Sequence, residues 1–293
     1  MRYAAINILR HQYPVRLVCS MLRVSASGYY AWRSRDVALS DRTARLKAEI
    51  QAAHVRTRGT YGAQRLHQEL VASGCVVSLW KVKRLRRELG LVRKHKRRFV
   101  RTTDSNHAMP VAPNLLNRDF TPGARNRVWV SDITYIPTQQ GWVYLAGIKD
   151  LHSREIVGFS LSVRMDTNIV LQALKSAMHF HRPPTGLILH SDRGSQYCSA
   201  VYQAKLKAYG LICSMSRKGD CYDNAPMESF WGLLKNELTH RKRYSSQAKA
   251  IADVTEYIEV FYNRQRRQAA LGYLSPAAFV RNGQQEQKLS LAV

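Results

Sequence analysis

VWVSDITYIP (128–137), GWVYLAGIKDL (141–151) and REIVGFSLSV (154–163) follow one another with short turns between them. β-Branched and aromatic residues dominate all three, so the expectation is three strands of an antiparallel meander. Asp132 interrupts the first run in mid-strand, where an unpaired carboxylate is costly to bury. No basic neighbour in the sequence offers to neutralise it. Outward from the meander, Thr167–Phe180 predicts a helix with Val170, Leu171, Leu174 and Met178 on its buried side. TGLILHSD (185–192) predicts a short strand with Asp192 at its C-terminal end. A helix over about 200–209, a strand at LICSM (211–215), a glycine-containing loop and one more helix complete the order βββαβαβα. The expected fold class is α/β, helices packed on a mixed sheet.

The last helix lies within GDCYDNAPMESFWGLLKNEL (219–238), which carries four acids. With Pro226 in its first turn, Met227, Phe230, Leu234 and Leu238 form a core stripe. Glu228, Gly232 and Lys235 form the neighbouring stripe. Glu237 lies nine positions beyond Glu228, about half a revolution around the helix, and is expected to face outward. Asp223 and Asn224 are placed to cap the helix, Asp220 sits in the loop, and Trp231 is an edge-of-core aromatic. Gly232 either leaves room for a DNA backbone or gives packing clearance.

Asp132, Asp192 and Glu228 thus come from two strand positions and a helix. Three converging carboxylates suit a hard divalent metal. Two Mg²⁺ ions, with Mn²⁺ as a substitute, can serve an in-line phosphoryl displacement. Asp150, at the end of GWVYLAGIKD, is the decoy for this set, and His190 is read as a satisfied structural histidine. Arg193, after Asp192, is assigned to phosphate or to a neighbouring acid.

Five scattered cysteines contain no CxxC pair, and none of the ten histidines lies at ligand spacing from them. That excludes a zinc ribbon and a disulfide framework and suits a reducing cytoplasm. No apolar run approaches the length of a membrane span, and the first residues lack a signal peptide's apolar segment. The formal net charge is +26. Residues 1–128 hold 26 Lys/Arg against 7 Asp/Glu, and the remainder 20 against 13. A polyanionic partner follows, and in a cytoplasm that partner is nucleic acid rather than membrane.

The basic front half reads as helical. Residues 1–40 contain a helix-turn-helix-like segment, with Pro14 opening one helix, Arg23-Val24 turning, and Ser25 capping the next. Residues 41–95 are assigned to a helix-turn-helix DNA-binding domain. Within it, SLWKVKRLRRELG starts at a capping Ser78 and stops before Gly90. Val82, Leu85 and Leu89 make its core stripe, while Lys81, Lys83, Arg84, Arg86 and Arg87 cover the rest, opposed only by Glu88. The run RKHKRRFVR (93–101), including Arg97 and Arg98, leads into a proline-containing linker over 96–126. A catalytic domain with a C-terminal helical extension is placed at 127–280 and a tail at 281–293. Near its end, YNRQRRQ supplies Arg264, Arg266 and Arg267 as candidate backbone contacts.

WVSDITYI (129–136), LHSDRGSQY (189–197), SRKGDCYDNAPMESFWGLLKNEL (216–238) and YNRQRRQAALGYLSPAAF (262–279) together resemble the IS-three family of bacterial insertion-sequence transposases, relatives of retroviral integrases. Thirty-five residues separate Asp192 from Glu228, the spacing of that superfamily's D,D(35)E pattern. The resemblance implies an RNase H-like core after a helix-turn-helix region, with Asp132, Asp192 and Glu228 as the catalytic and metal-binding triad. It also implies that Lys235, seven residues past Glu228, contacts DNA. Cys198 stands where relatives often have Thr, and Gln268-Ala269 where His-Ser is more usual; neither touches the triad. The implied activity is cleavage and strand transfer at element ends, by a homo-oligomer on terminal repeats and target DNA. Relatives often act as a frameshift fusion with an upstream helix-turn-helix and coiled coil. This chain has no leucine heptads at its start and reads as the second-frame protein, with the upstream-frame product as partner or fusion. Two rival functions are a metal-dependent nuclease of the same fold and a non-catalytic DNA-binding repressor.

Overall fold

The computed structural model describes residues 1–92, 110–217 and 221–290. Arg97, Arg98 and Asp220 lie outside the described residues. The chain divides into two compact units, Met1–Arg93 and Lys94–Val293.

The first unit holds α1 (Arg2–Leu9), α2 (Val15–Met21), α3 (Ala26–Arg56), α4 (Ala63–Ala72) and α5 (Leu79–Glu88). Pro14 immediately precedes α2, and Ser25 Oγ accepts the Gly28 N–H at 3.0 Å to open α3. Arg23, at φ 50°, makes the turn between them. The expected division near residue 40 falls inside α3, which runs unbroken for 31 residues. Residues 29–58 contain neither glycine nor proline, so nothing there stops helix propagation; Ser40-Asp41 resembles a cap but sits in mid-helix. One end of α3 joins a small core of Ile6, Val18, Cys19 and Tyr29. Toward the other end, Ile50 and Ala53 are buried, as are Leu66 and Leu70 of α4 and Val82 and Leu85 of α5. Ser78 Oγ caps α5 by accepting the Lys81 N–H.

The second unit runs β1 (Val128–Thr138), β2 (Gly141–Asp150), β3 (Ile156–Ser162), α6 (Thr167–His181), β4 (Ile188–Ser191), α7 (Ser195–Cys198), α8 (Ala200–Ala208), β5 (Ile212–Met215) and α9 (Ala225–Glu237). The expected order is present, with α7 as an added turn. After α9 come α10 (Gln247–Glu256), a π-helix (Tyr257–Gln265) and α11 (Pro276–Ser290), so part of the expected tail is helical. The sheet order is β3-β2-β1-β4-β5. β1, β2 and β3 pair antiparallel, whereas β4 pairs parallel with both β1 and β5.

One sheet face presents Trp129, Ile148, Val157 and Leu189 to Val170 and Leu174 of α6 and to Tyr202 and Leu206 of α8. Burying a leucine such as Leu174 contributes about 1.5–3 kcal/mol. Close approach of α6 requires Gly158, because a Cβ there would stand 2.5 Å from the Ala173 carbonyl oxygen. The strand period of two sends Ser131 to this face, where its hydroxyl meets that of Tyr197 at 2.9 Å. Asp132 points to the opposite face, which α9 covers.

Candidate active site

The parallel register pairs Val130 of β1 with His190 of β4. Two residues further along the chain from each lie Asp132, within β1, and Asp192, immediately after the end of β4. Neighbouring strands are about 4.8 Å apart, so equal steps from a paired rung bring the two acids to the same end of the sheet, near enough for the charge of Asp192 to act on Asp132. Their mutual repulsion is a cause of the raised proton affinity of Asp132. Burial contributes most to that rise, Asp192 next, and Glu228 adds a smaller push in the same direction. Glu228 itself, on the exposed side of α9, is raised by partial desolvation.

Hydrogen bonds fix both aspartates. Asp132 Oδ1 accepts the Ile133 N–H at 2.8 Å, and Oδ2 accepts the indole N–H of Trp231 at 2.9 Å. Asp192 Oδ1 accepts the Gly194 N–H at 2.9 Å. Among the described residues, no three acidic, histidine or cysteine side chains stand close enough together to hold a metal ion as they are. The aspartates and Glu228 nevertheless supply only oxygen donors, and the charges of Asp192 and Glu228 raise the cost of ionising Asp132. That is the donor chemistry of a hard divalent cation.

Trp231, expected at the edge of the core, is buried, but its polar edge reaches Asp132. The signal available in the sequence is its i+3 spacing from Glu228, which sets both residues on one side of α9. A Cβ at Gly232 meets nothing within 4 Å, so packing clearance does not explain that glycine. Lys235 lies half-buried with its ammonium 5.1 Å from the Tyr135 ring centroid. Burial lowers its proton affinity, and the negative charge of Asp132 opposes that shift.

Asp223 and Asn224 do not cap α9 with their side chains. Asp223 is fully buried and accepts hydrogen bonds from the Arg217 backbone and guanidinium, from Arg118 Nε and from Asn114 Nδ2. Arg217 holds its carboxyl well below the usual carboxylate range, with Arg118 helping. Asn224 instead donates to the Ser131 carbonyl at 3.0 Å, tying the start of α9 to β1 next to Asp132. Lys149, buried in β2, donates to the Pro226 carbonyl at 3.1 Å and ties the first turn of α9 to the sheet. Burial, with Arg154 and Arg266 nearby, lowers its ammonium to about 7.

His190 is a satisfied core histidine, bonded to the hydroxyls of Ser214 and Ser216, with burial lowering it to about 4. Asp150 accepts from the backbone and hydroxyl of Ser153 and from the Asn126 N–H, so it organises a turn. Arg193 Nε donates to the Ser216 carbonyl at 2.6 Å and fastens the Asp192 loop to the end of β5.

Residues 122–221 and 209–276 match two models of the integrase core domain, and residues 41–99 match an HTH-like domain. The chain is 54% identical over 265 residues to the insertion element IS600 uncharacterized 31 kDa protein of Shigella sonnei, covering 89% of this chain and 97% of that one. It is 41% identical over 282 residues to transposase InsF for insertion sequence IS3A of Escherichia coli K12, covering 95% and 98%. The chain belongs to the IS3 family of transposases. Among solved structures it is similar to the HTLV-2 integrase catalytic core domain in complex with magnesium, with 16% identity, a TM-score of 0.42, and coverage of 54% of this chain and 97% of that one.

As an IS3-family transposase, the chain presents the remaining basic candidates unevenly. Lys83, Arg84 and Arg87 are exposed on α5 and Lys81 is half-buried. Trp80, 67% exposed, stacks under the Arg84 guanidinium at 5.1 Å. Glu88 draws on Lys47 at 3.0 Å and Arg84 at 3.4 Å. Arg264 is exposed, and Arg267 donates to the Tyr273 carbonyl. Arg266 is a correction: it is buried and makes two 2.8 Å bonds to Glu237, which also accepts from the Tyr257 hydroxyl. Glu237 therefore faces protein, not solvent. The helical wheel assumes one covered side of α9, but the π-helix and the turn after it cover the other. In the same segment Asn263 clamps Ile156 through both its amide atoms, and Tyr262 donates to the Arg154 carbonyl. Much of YNRQRRQ thus docks the C-terminal extension onto the core. No described helix is long and apolar enough to cross a membrane.

Proposed function

We propose that Asp132, Asp192 and Glu228 form the reaction centre with which this transposase cuts and joins DNA at the ends of an insertion element. The observation that carries this is the convergence of three acids: Asp132 in β1 and Asp192 just past the end of the adjoining parallel strand β4 both lie two residues beyond the Val130–His190 rung, and the charges of Asp192 and of Glu228 on α9 both act on Asp132. When bound, two divalent ions (Mg²⁺, or Mn²⁺ in its place) would activate the attacking oxygen and stabilise the leaving one in successive in-line displacements. The three carboxylates would share the positive charge, Glu228 closing on the aspartate pair. The sheet and its hydrogen bonds hold Asp132 and Asp192 against their own repulsion before any cation arrives. Lys235 and Arg193 would contact the DNA beside the centre, and Arg264 and Arg267 would extend that surface. Lys81, Lys83, Arg84 and Arg87 would bind the element's terminal repeats through α5, with Arg97 and Arg98 following the backbone. The acting form would be a homo-oligomer on element and target DNA, joined or fused to the upstream-frame product.

Purified protein, labelled element-end DNA and Mg²⁺ test this against Glu228→Gln. Joined products with the parent and none with the variant are expected. Cleavage without joining would favour a nuclease, and bound but unreacted DNA with both proteins a repressor. Equal joining by the two proteins would overturn the triad.

A further inference from the structure

Trp231 touches the candidate metal site and the sheet beneath it at the same time. Its indole N–H donates to Asp132 Oδ2 at 2.9 Å, while the far edge of the same ring lies over Gly147. Gly147 is the residue paired directly across from Asp132 in the β1–β2 ladder. A Cβ built at Gly147 would stand 2.9 Å from Trp231 Cη2, inside normal contact, and 3.3 Å from Met227 Cε. The glycine therefore opens the slot along which the indole reaches the aspartate. Trp231 also sits three residues after Glu228, so one helical turn carries a carboxylate and the donor that holds a second carboxylate.

We propose that Trp231 is a positioning residue for the metal-binding form of Asp132, working through Gly147. This rests on the assignment of the triad as the metal centre. The Ile133 N–H and the indole N–H occupy one lone pair on each Asp132 oxygen and stop the carboxylate from rotating. One lone pair per oxygen remains for cations. Removing the indole donor frees the carboxylate to turn, so the cation must then fix an orientation the protein no longer supplies. Loss of such an outer hydrogen bond typically weakens metal affinity about 10–100-fold. The same bond links Asp132 to the helix bearing Glu228, so the indole reports on both.

The test uses the full chain labelled with ¹⁵N at the tryptophan indoles, titrated with Mg²⁺ and followed by calorimetry and by the Trp231 N–H resonance, assigned by its absence in Trp231→Phe. Expected are a Trp231 resonance that moves on Mg²⁺ addition and about 10–100-fold weaker Mg²⁺ binding by Trp231→Phe, measured well below that variant's own melting transition. Gly147→Ala keeps the indole but displaces it, so it should weaken binding similarly, and the double variant should bind no worse than either single one. Mg²⁺ binding by Trp231→Phe at parental affinity, or a resonance that stays still while the protein saturates, would overturn the proposal. Glu228→Gln separates this failure from that of the triad. If Glu228→Gln loses affinity while Trp231→Phe does not, only the role of Trp231 falls; if neither loses affinity, the triad assignment falls with it.

Discussion

Asp223 carries the same letter as a helix cap and stands where a cap belongs, yet its carboxylate is spent on two arginines and an asparagine. Two of those partners lie 105 and 109 residues upstream, a distance over which no local pattern operates. Asp132 was legible for the opposite reason, since an acid inside a β-rich run violates the strand's own composition. Trp231 was half legible: its place beside the core stripe suggested an edge-of-core aromatic, but its burial and its indole bond depend on a glycine of another strand. Asp223 gives a pH prediction. Its folded-state affinity for protons is depressed, so the unfolded chain takes up the proton first as pH falls. The stabilisation is complete above the unfolded value of about 3.9 and is lost as pH drops through the folded value. Urea midpoints of the parent and Asp223→Asn should therefore differ most near neutrality and converge below about pH 4.

At the scale of elements, α9 shows what periodicity can and cannot supply. Met227, Phe230, Leu234 and Leu238 are buried as their spacing requires. The wheel says nothing of a second covering layer, because the π-helix that provides it begins 20 residues after Glu237. Glu237 and Arg266 are charged at opposite signs and both enclosed, so removal of either strands the other. Arg266→Met should destabilise the core by about 3–5 kcal/mol, and Arg266→Met with Glu237→Leu should recover most of that loss, as read from urea unfolding followed by fluorescence. An Arg266 that contacted DNA instead would, when replaced, weaken binding and leave the unfolding midpoint in place.

For the whole molecule, the order of strands and helices in the second unit was legible because each has a clear apolar pattern, even the four-residue strands β4 and β5, and is bounded by glycine, proline or polar turns. The joint between the two halves of the first unit was not, because Ser40-Asp41 offered a cap that an otherwise unbroken helical stretch overrode. The charge asymmetry between the halves belongs to this scale too. Substituting Lys83, Arg84 and Arg87 with Gln should flatten the slope of log affinity against log salt by about 0.9 for each phosphate that is no longer neutralised. Fluorescence anisotropy on element-end DNA at several salt concentrations measures this, and an unchanged slope would place the DNA elsewhere on the chain.

The enclosed pair on α9 also has a consequence in time. A ribosome makes Glu237 29 residues before Arg266. At about 5–20 residues per second, α9 exists for a few seconds with its terminal acid lacking the counter-charge that seals it. Closure of the core around α9 therefore waits for Arg266, and an mRNA cut short before residue 266 encodes Asp132, Asp192 and Glu228 without the clamp that seals the helix bearing Glu228.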